Sequence, residues 1–211
     1  MTYKLYKNSA TGMHCVQACM QMLLHHYGRE VPSFAELDKI TGHAGPGKLT
    51  WLTQALLWLE TQGFRVVLVE NLDYVQFAKY GESYLKKIWD KETFSIQKKY
   101  SDLKMEKGAA GRLIRSGIIT KDRRMSLADV RRMHGQGYFT MLSINPHVLN
   151  GFDGYGSHLV VIRGFGTRTV QLLDPDHSGT RRVSYAALRR SISDEYKPDF
   201  NAIFIKSRSD L

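Results

Sequence analysis

Three residues of the kinds that cooperate in thiol chemistry stand at informative places in this chain. Cys15 lies where a loop, Asn8 to His14, runs into an apolar stretch reaching Tyr27. A thiol at a helix start meets the positive end of the macrodipole and unpaired backbone N–H groups, both of which favour the nucleophilic thiolate. His158 opens an apolar, β-branched run, and Asp174 closes the next such run, sixteen residues after His158. Two antiparallel strands joined by a short turn bring the first residue of one and the last of the other to one sheet edge. A carboxylate there can hold one imidazole nitrogen and leave the other for a nucleophile. The chemistry implied is attack on a carbonyl, with Cys15 as nucleophile, His158 as base and Asp174 as orienter. Taken alone, Cys15 reads first as a small buried hydrophobe, as free cysteines often are; His158 and Asp174 reverse that order.

The elements that must position these residues follow from pattern. Thr11 is placed to cap the first helix and Gly28 to end it. Cys19, one turn beyond Cys15, is expected in the core, and two cysteines on one helix face predict free thiols rather than a bridge. Ser33 to Glu36 forms a capping-box pattern for a short helix ending at Gly42. Leu49 to Gln62 has helical spacing, Gly63 closes it, and Phe64 to Val69 reads as a strand. Between Leu72 and Gly135 the period is helical, with helices expected over 73–89, 91–107, 109–116 and 126–134, the last capped by Ser126. The final third reads as strands over 138–144, 157–163, 169–173 and 202–205, with a short helix from Ser184 to Ser191. Helices first and an antiparallel sheet afterwards give an α+β fold, one domain over residues 1–211 with 72–135 as a helical insertion.

Composition narrows the class. With 211 residues, 43% of them hydrophobic, the chain can build a substantial core. No stretch approaches the roughly 20 apolar residues that span a bilayer, and the N-terminus has no signal-peptide core; a soluble cytoplasmic protein is expected. The net charge is +10, and the segment 72–135 supplies seven of it, with 15 Lys+Arg against 8 Asp+Glu. No Lys/Arg run exceeds two residues and no zinc-finger spacing occurs, so nucleic acid is not the expected partner. Solvated helix faces are the first reading of this charge, and an acidic partner the second. His14, His25, His26, His43, His134, His147 and His177 show no ligand spacing, so neither metal nor cofactor is expected. Asp176 rivals Asp174 but lies beyond Pro175. Tyr155 and Ser157, in a glycine-rich stretch before His158, are candidate substrate contacts.

The pieces around the three residues resemble the papain-like cysteine peptidases of the C39-like type, which include bacteriocin-processing peptidases. The matching stretches are Cys15-Val-Gln-Ala-Cys-Met-Gln-Met-Leu-Leu24 with Tyr27-Gly28, Leu49 to Val69, Ser157-His-Leu-Val-Val-Ile-Arg-Gly164, and Val170-Gln-Leu-Leu-Asp-Pro175. The resemblance implies a papain-like fold, a peptide or protein substrate, no cofactor, and the triad Cys15, His158 and Asp174. Two positions depart from the family pattern. Val16 stands where the family has Gly. Ser9 stands where the family has a Gln that stabilises the oxyanion, and the neighbouring Asn8 is the candidate replacement. The expectation is therefore a thiol hydrolase of peptide or amide bonds. The alternatives are an acyltransferase, deamidase or amide-forming enzyme with the same triad, or a non-catalytic peptide-binding relative.

Overall fold

The computed structural model describes residues 2–193 and 195–210. In chain order the elements are α1 (Cys15–His26), α2 (Phe34–Thr41), α3 (Leu52–Thr61), β1 (Phe64–Glu70), α4 (Tyr74–Tyr80), α5 (Glu82–Ile88), α6 (Lys91–Tyr100) and α7 (Leu103–Ile114). They continue with β2 (Ile119–Asp122), α8 (Leu127–Gly135), β3 (Phe139–Ile144), α9 (Pro146–Leu149), β4 (His158–Phe165), β5 (Thr169–Leu173), β6 (Thr180–Ser184), α10 (Tyr185–Ser191) and β7 (Asn201–Ser207). The fold is α+β. The strands form one seven-stranded sheet in the order β2-β1-β7-β3-β4-β5-β6. Only β1 and β2 pair in parallel; all other neighbours are antiparallel.

Strand alternation divides the core in two. Phe64, Val66 and Leu68 of β1, with Leu159 and Val161 of β4, face a layer built from α1, α3 and the helices α4 to α7. Val67, Val69, Val160 and Ile162 face the opposite side, which α8 and α10 cover through Val130 and Leu188. A sheet buried on both faces explains why β3 is buried at every position and reads as a continuous apolar run. The segment 72–135 shares this core: Phe77, Leu85, Trp89 and Leu113 pack in the α1 layer, and β2 extends the sheet.

Several boundaries differ from those the sequence predicts, each for a local reason. The helix expected over 73–89 breaks at Gly81, whose φ of +57° and ψ of −131° leave the helical region. The helices expected over 91–107 and 109–116 are instead α6 and α7, because Asp102 accepts the Met105 N–H at 2.9 Å and starts a new helix. Thr11 does not cap α1. The cap position is His14, and its own N–H is taken by Asn8 Oδ1 at 2.7 Å. The capping box at Ser33 and Glu36 forms as expected, and Gly42 closes α2 with φ +66°. β2, β6 and α9 lie in stretches that pattern left as loop or helix. Among the described residues no helix is long and apolar enough to cross a membrane.

Candidate active site

The first turn of α1 is held to the far end of the chain by a short peptide. The Asn8 backbone N–H donates to the Pro175 carbonyl at 2.9 Å, and its side-chain Nδ2 donates to Asp176 Oδ1 at 2.7 Å. Its Oδ1 accepts from the backbone of Ser9 and His14. Asn8 therefore ties the entry of α1 to the loop after β5. Deeper in the helix, the Cys19 thiol donates to the Leu159 carbonyl at 3.4 Å, so α1 rests directly on β4 beside His158. Burial pushes the Cys19 thiol well up, and the neighbouring Cys15, Asp174 and Asp176 push it further; it is a packed, inert thiol. Cys15 is half-buried and lines the same cleft as His158 and Ser157.

His158 is 5% exposed at the first position of β4. Its Nε2 lies 2.7 Å from Asp174 Oδ1, which leaves Nδ1 as the nitrogen available to a nucleophile. Asp174, 2% exposed, receives two further hydrogen bonds. The Asp176 backbone N–H donates to Oδ1 at 3.0 Å, and Arg181 Nη1 donates to Oδ2 at 3.1 Å. Arg181 also donates through Nη2 to Asn150 Oδ1. The pairing of Val161 with Leu173, continued outward, sets Asp174 opposite Val160 rather than His158. The His158–Asp174 contact is thus a diagonal one, two residues offset on the same face.

The electrostatics agree with these contacts. Burial works against the His158 imidazolium. The hydrogen bonds to Asp174 and to the Cys15 sulfur, with the charges of both, override it and push its pKa up to about 10. Burial also works against the Asp174 carboxylate, but the hydrogen bond and charge of His158, the Asp176 N–H and Arg181 hold it down at about 2. At neutral pH the pair is an imidazolium held by a carboxylate, the state that serves as counter-ion to a thiolate. Asp176 contributes less: its Oδ2 lies 3.6 Å from His158 Nδ1, and its side chain is 51% exposed.

No family model and no curated protein matches this chain.

The other predicted site residues divide. Ser157 lines the cleft. Tyr155 is not among the lining residues: its hydroxyl donates to Asp199 and accepts from Gln97 Nε2 at 2.9 Å, so it braces the wall from behind. Asn8 is also absent from the cleft lining, and its amide is turned to Asp176. The backbone N–H groups at the start of α1 have no side-chain cap. Some lysines of the segment 72–135 rest on local partners. Lys98 pairs with Glu82 at 2.7 Å, and Lys86 and Lys99 lie over the rings of Phe94 and Tyr100.

Arg181 is the partner of Asp174 that sequence pattern does not reveal. It sits on β6, a strand without clean alternation, and only pairing with β5 brings it behind Asp174. Among the described residues one group has metal-ligand composition. His14, Asp38 and His43 can each turn a ligand atom to within 4.8 Å of the others. His14 Nδ1 and His43 Nδ1 are each bonded to a hydroxyl, of Ser9 and Thr50, which fixes the orientation of each ring. With two imidazoles and one carboxylate, this set could hold a divalent ion of the zinc type.

Proposed function

We propose that this protein is a thiol-dependent hydrolase of peptide or amide bonds, on a papain-like fold of the C39-like type. The observation that carries the reading is the buried His158–Asp174 pair at 2.7 Å, braced by Arg181, beside a cysteine at the first position of a helix. In this reading Cys15 sulfur attacks the substrate carbonyl carbon and forms a tetrahedral intermediate that carries the oxyanion and the leaving nitrogen. Backbone N–H groups at the start of α1 stabilise its oxyanion. The C–N bond breaks as His158 Nδ1 delivers its proton to the leaving nitrogen, giving an acyl thioester on Cys15. Water then gives a proton to His158 and attacks the thioester, releasing a carboxylic acid and regenerating the thiolate. Asp174 keeps the imidazole in one orientation throughout.

A peptide-based thiol probe tests this. Covalent labelling located at Cys15 by mass spectrometry, lost in His158→Ala and accompanied by peptide cleavage in the unlabelled protein, is the expected result. No labelling of Cys15 by any carbonyl-directed probe would overturn it. Labelling together with transfer of the acyl group to an added amine, and no hydrolysis, would assign the same triad to acyl transfer instead.

A further inference from the structure

The cleft that holds Cys15 and His158 has a second chemical character that the triad does not use. Trp51, Tyr74 and Trp89 line it with rings, and Glu70, Asp199 and Asn201 line it with acceptor oxygens. Trp51 is fixed by its own hydrogen bonds to Gln97 Oε1 and Ser101 Oγ, both at 3.0 Å. Asp199 is already paired, with Lys197 on Oδ1 and Tyr155 and Gln97 on Oδ2. Glu70 is not: among the described residues its carboxyl receives only the Tyr74 hydroxyl, at 2.6 Å. Asn201 Oδ1 is buried with no partner, and so is Trp89 Nε1, on a side chain only 7% exposed. Buried polar atoms left unpaired are costly, and two of them on one cleft, beside a Glu70 carboxyl with a single hydrogen bond, point to a ligand that pairs them.

The charge balance says which ligand. Glu106, 2% exposed, lies behind the cleft with its Oε2 unpartnered. Burial raises both carboxyls, Glu70 to about 7 with the charge of Asp199 adding to it, and Glu106 to about 8 with the charges of Asp102 and Glu70 adding to it. Lys197 is bonded to Asp199, and Arg112 to Gln54. In a chain of net charge +10, this is a pocket short of positive charge. A carboxylate and a carbonyl oxygen inside an aromatic box recognise a cation through charge, hydrogen bonds and ring faces together.

We infer that this cleft is a subsite for a positively charged side chain, an amine or guanidinium, on the acyl part of the substrate. Glu70 and Asn201 Oδ1 receive the cation between Trp51, Tyr74 and Trp89, and Trp89 Nε1–H donates to a substrate carbonyl. The inference rests on the thiol-hydrolase reading for the word substrate, but the cation site itself is testable without catalysis.

Two measurements separate the two ideas. In the first, acyloxymethyl ketone probes carry Lys, norleucine or Glu next to the electrophile. Cys15 sulfur bonds to the probe methylene as the carboxylate leaves, and the rate of labelling is read by mass spectrometry. Lys is expected to label faster than norleucine by about tenfold or more, with Glu slowest. In Glu70→Gln the Lys-to-norleucine ratio is expected to collapse toward one. Equal rates for Lys and norleucine in the wild type, or faster labelling by norleucine, would overturn the cationic subsite while leaving the nucleophile in place. In the second, tryptophan fluorescence follows binding of acetyl-lysine amide and acetyl-norleucine amide to Cys15→Ala, where no covalent step is possible. Saturable binding of the lysine compound alone supports the subsite even if no probe labels Cys15. No binding of the lysine compound, or equal binding of both, overturns it whatever the thiol does.

Discussion

His158 Nε2 and Asp174 Oδ1 are 2.7 Å apart although their strands pair two residues out of step. That diagonal contact makes Asp174, not Asp176, the group that fixes the imidazole. Asp174→Asn should keep the fold and lower turnover by about 10³–10⁴-fold, because the amide neither counters the imidazolium nor enforces its orientation. Asp176→Asn should lower it by about tenfold at most, since that carboxylate is half exposed and 3.6 Å from Nδ1. Turnover of both variants on one peptide substrate, with circular dichroism for the fold, checks the order.

Arg181 should matter although it does not face the cleft. Arg181→Gln removes the donor on Asp174 Oδ2 and leaves a nearly buried carboxylate with one fewer partner. A stability loss of about 1–3 kcal/mol is expected, measured by urea unfolding. kcat should fall with KM little changed, because Arg181 acts through Asp174 rather than on the substrate. Arg181→Lys should restore part of both.

The raised His158 pKa predicts a stability window. A histidine at about 10 in the folded state and about 6.5 in the unfolded chain stabilises fully below the lower value. That contribution declines as pH rises toward the folded value. The Tm difference between wild type and His158→Gln should therefore be largest below about pH 6.5 and shrink steadily to about pH 10. Asp174, held down at about 2, adds stability above the ordinary carboxylate range that is lost only as pH falls toward 2. Differential scanning calorimetry across pH reads both.

Glu106 predicts the opposite sign. A buried acid raised to about 8 is protonated in the folded protein and must give up that advantage as pH rises. Glu106→Gln should be nearly neutral at pH 5 and stabilising by about 1–3 kcal/mol at pH 9, where the wild type carries a buried charge. A variant less stable than wild type at pH 9 would mean that a partner holds the charge.

The two cysteines should behave differently. Cys15→Ala should abolish probe labelling and amide-bond activity at little structural cost, since the residue is half-buried. Cys19→Ala should retain labelling and lose about 1–2 kcal/mol, because it empties space in the core and removes the thiol contact to Leu159. Mapping alkylated peptides in wild type and both variants distinguishes them.

What the chain determined locally is what depends on a few neighbouring residues. The capping box of Ser33 and Glu36, the left-handed closures at Gly28 and Gly42, and the β-branched runs of β4 and β5 were readable because each signal and its structure lie within one turn or one strand. The candidate triad was readable for the same reason: a helix start, a strand start and a strand end are local features, and a hairpin joins two of them. The breaks at Gly81 and Asp102 were also written locally but lay inside a continuous helical period that masked them.

What only the tertiary structure decided is where distant segments meet. β2 pairs in parallel with β1 across the intervening helices α4 to α7, an arrangement set by sheet order rather than by its own four exposed residues. Asn8 reaches Asp176, Arg181 stands behind Asp174, and Glu70, Trp89 and Asn201 converge on the cleft of Cys15. Each of those side chains is ordinary in its own sequence neighbourhood. Its role comes from the neighbours that packing supplies, and one residue of strand register would replace those of Glu70, Arg181 and Asn201.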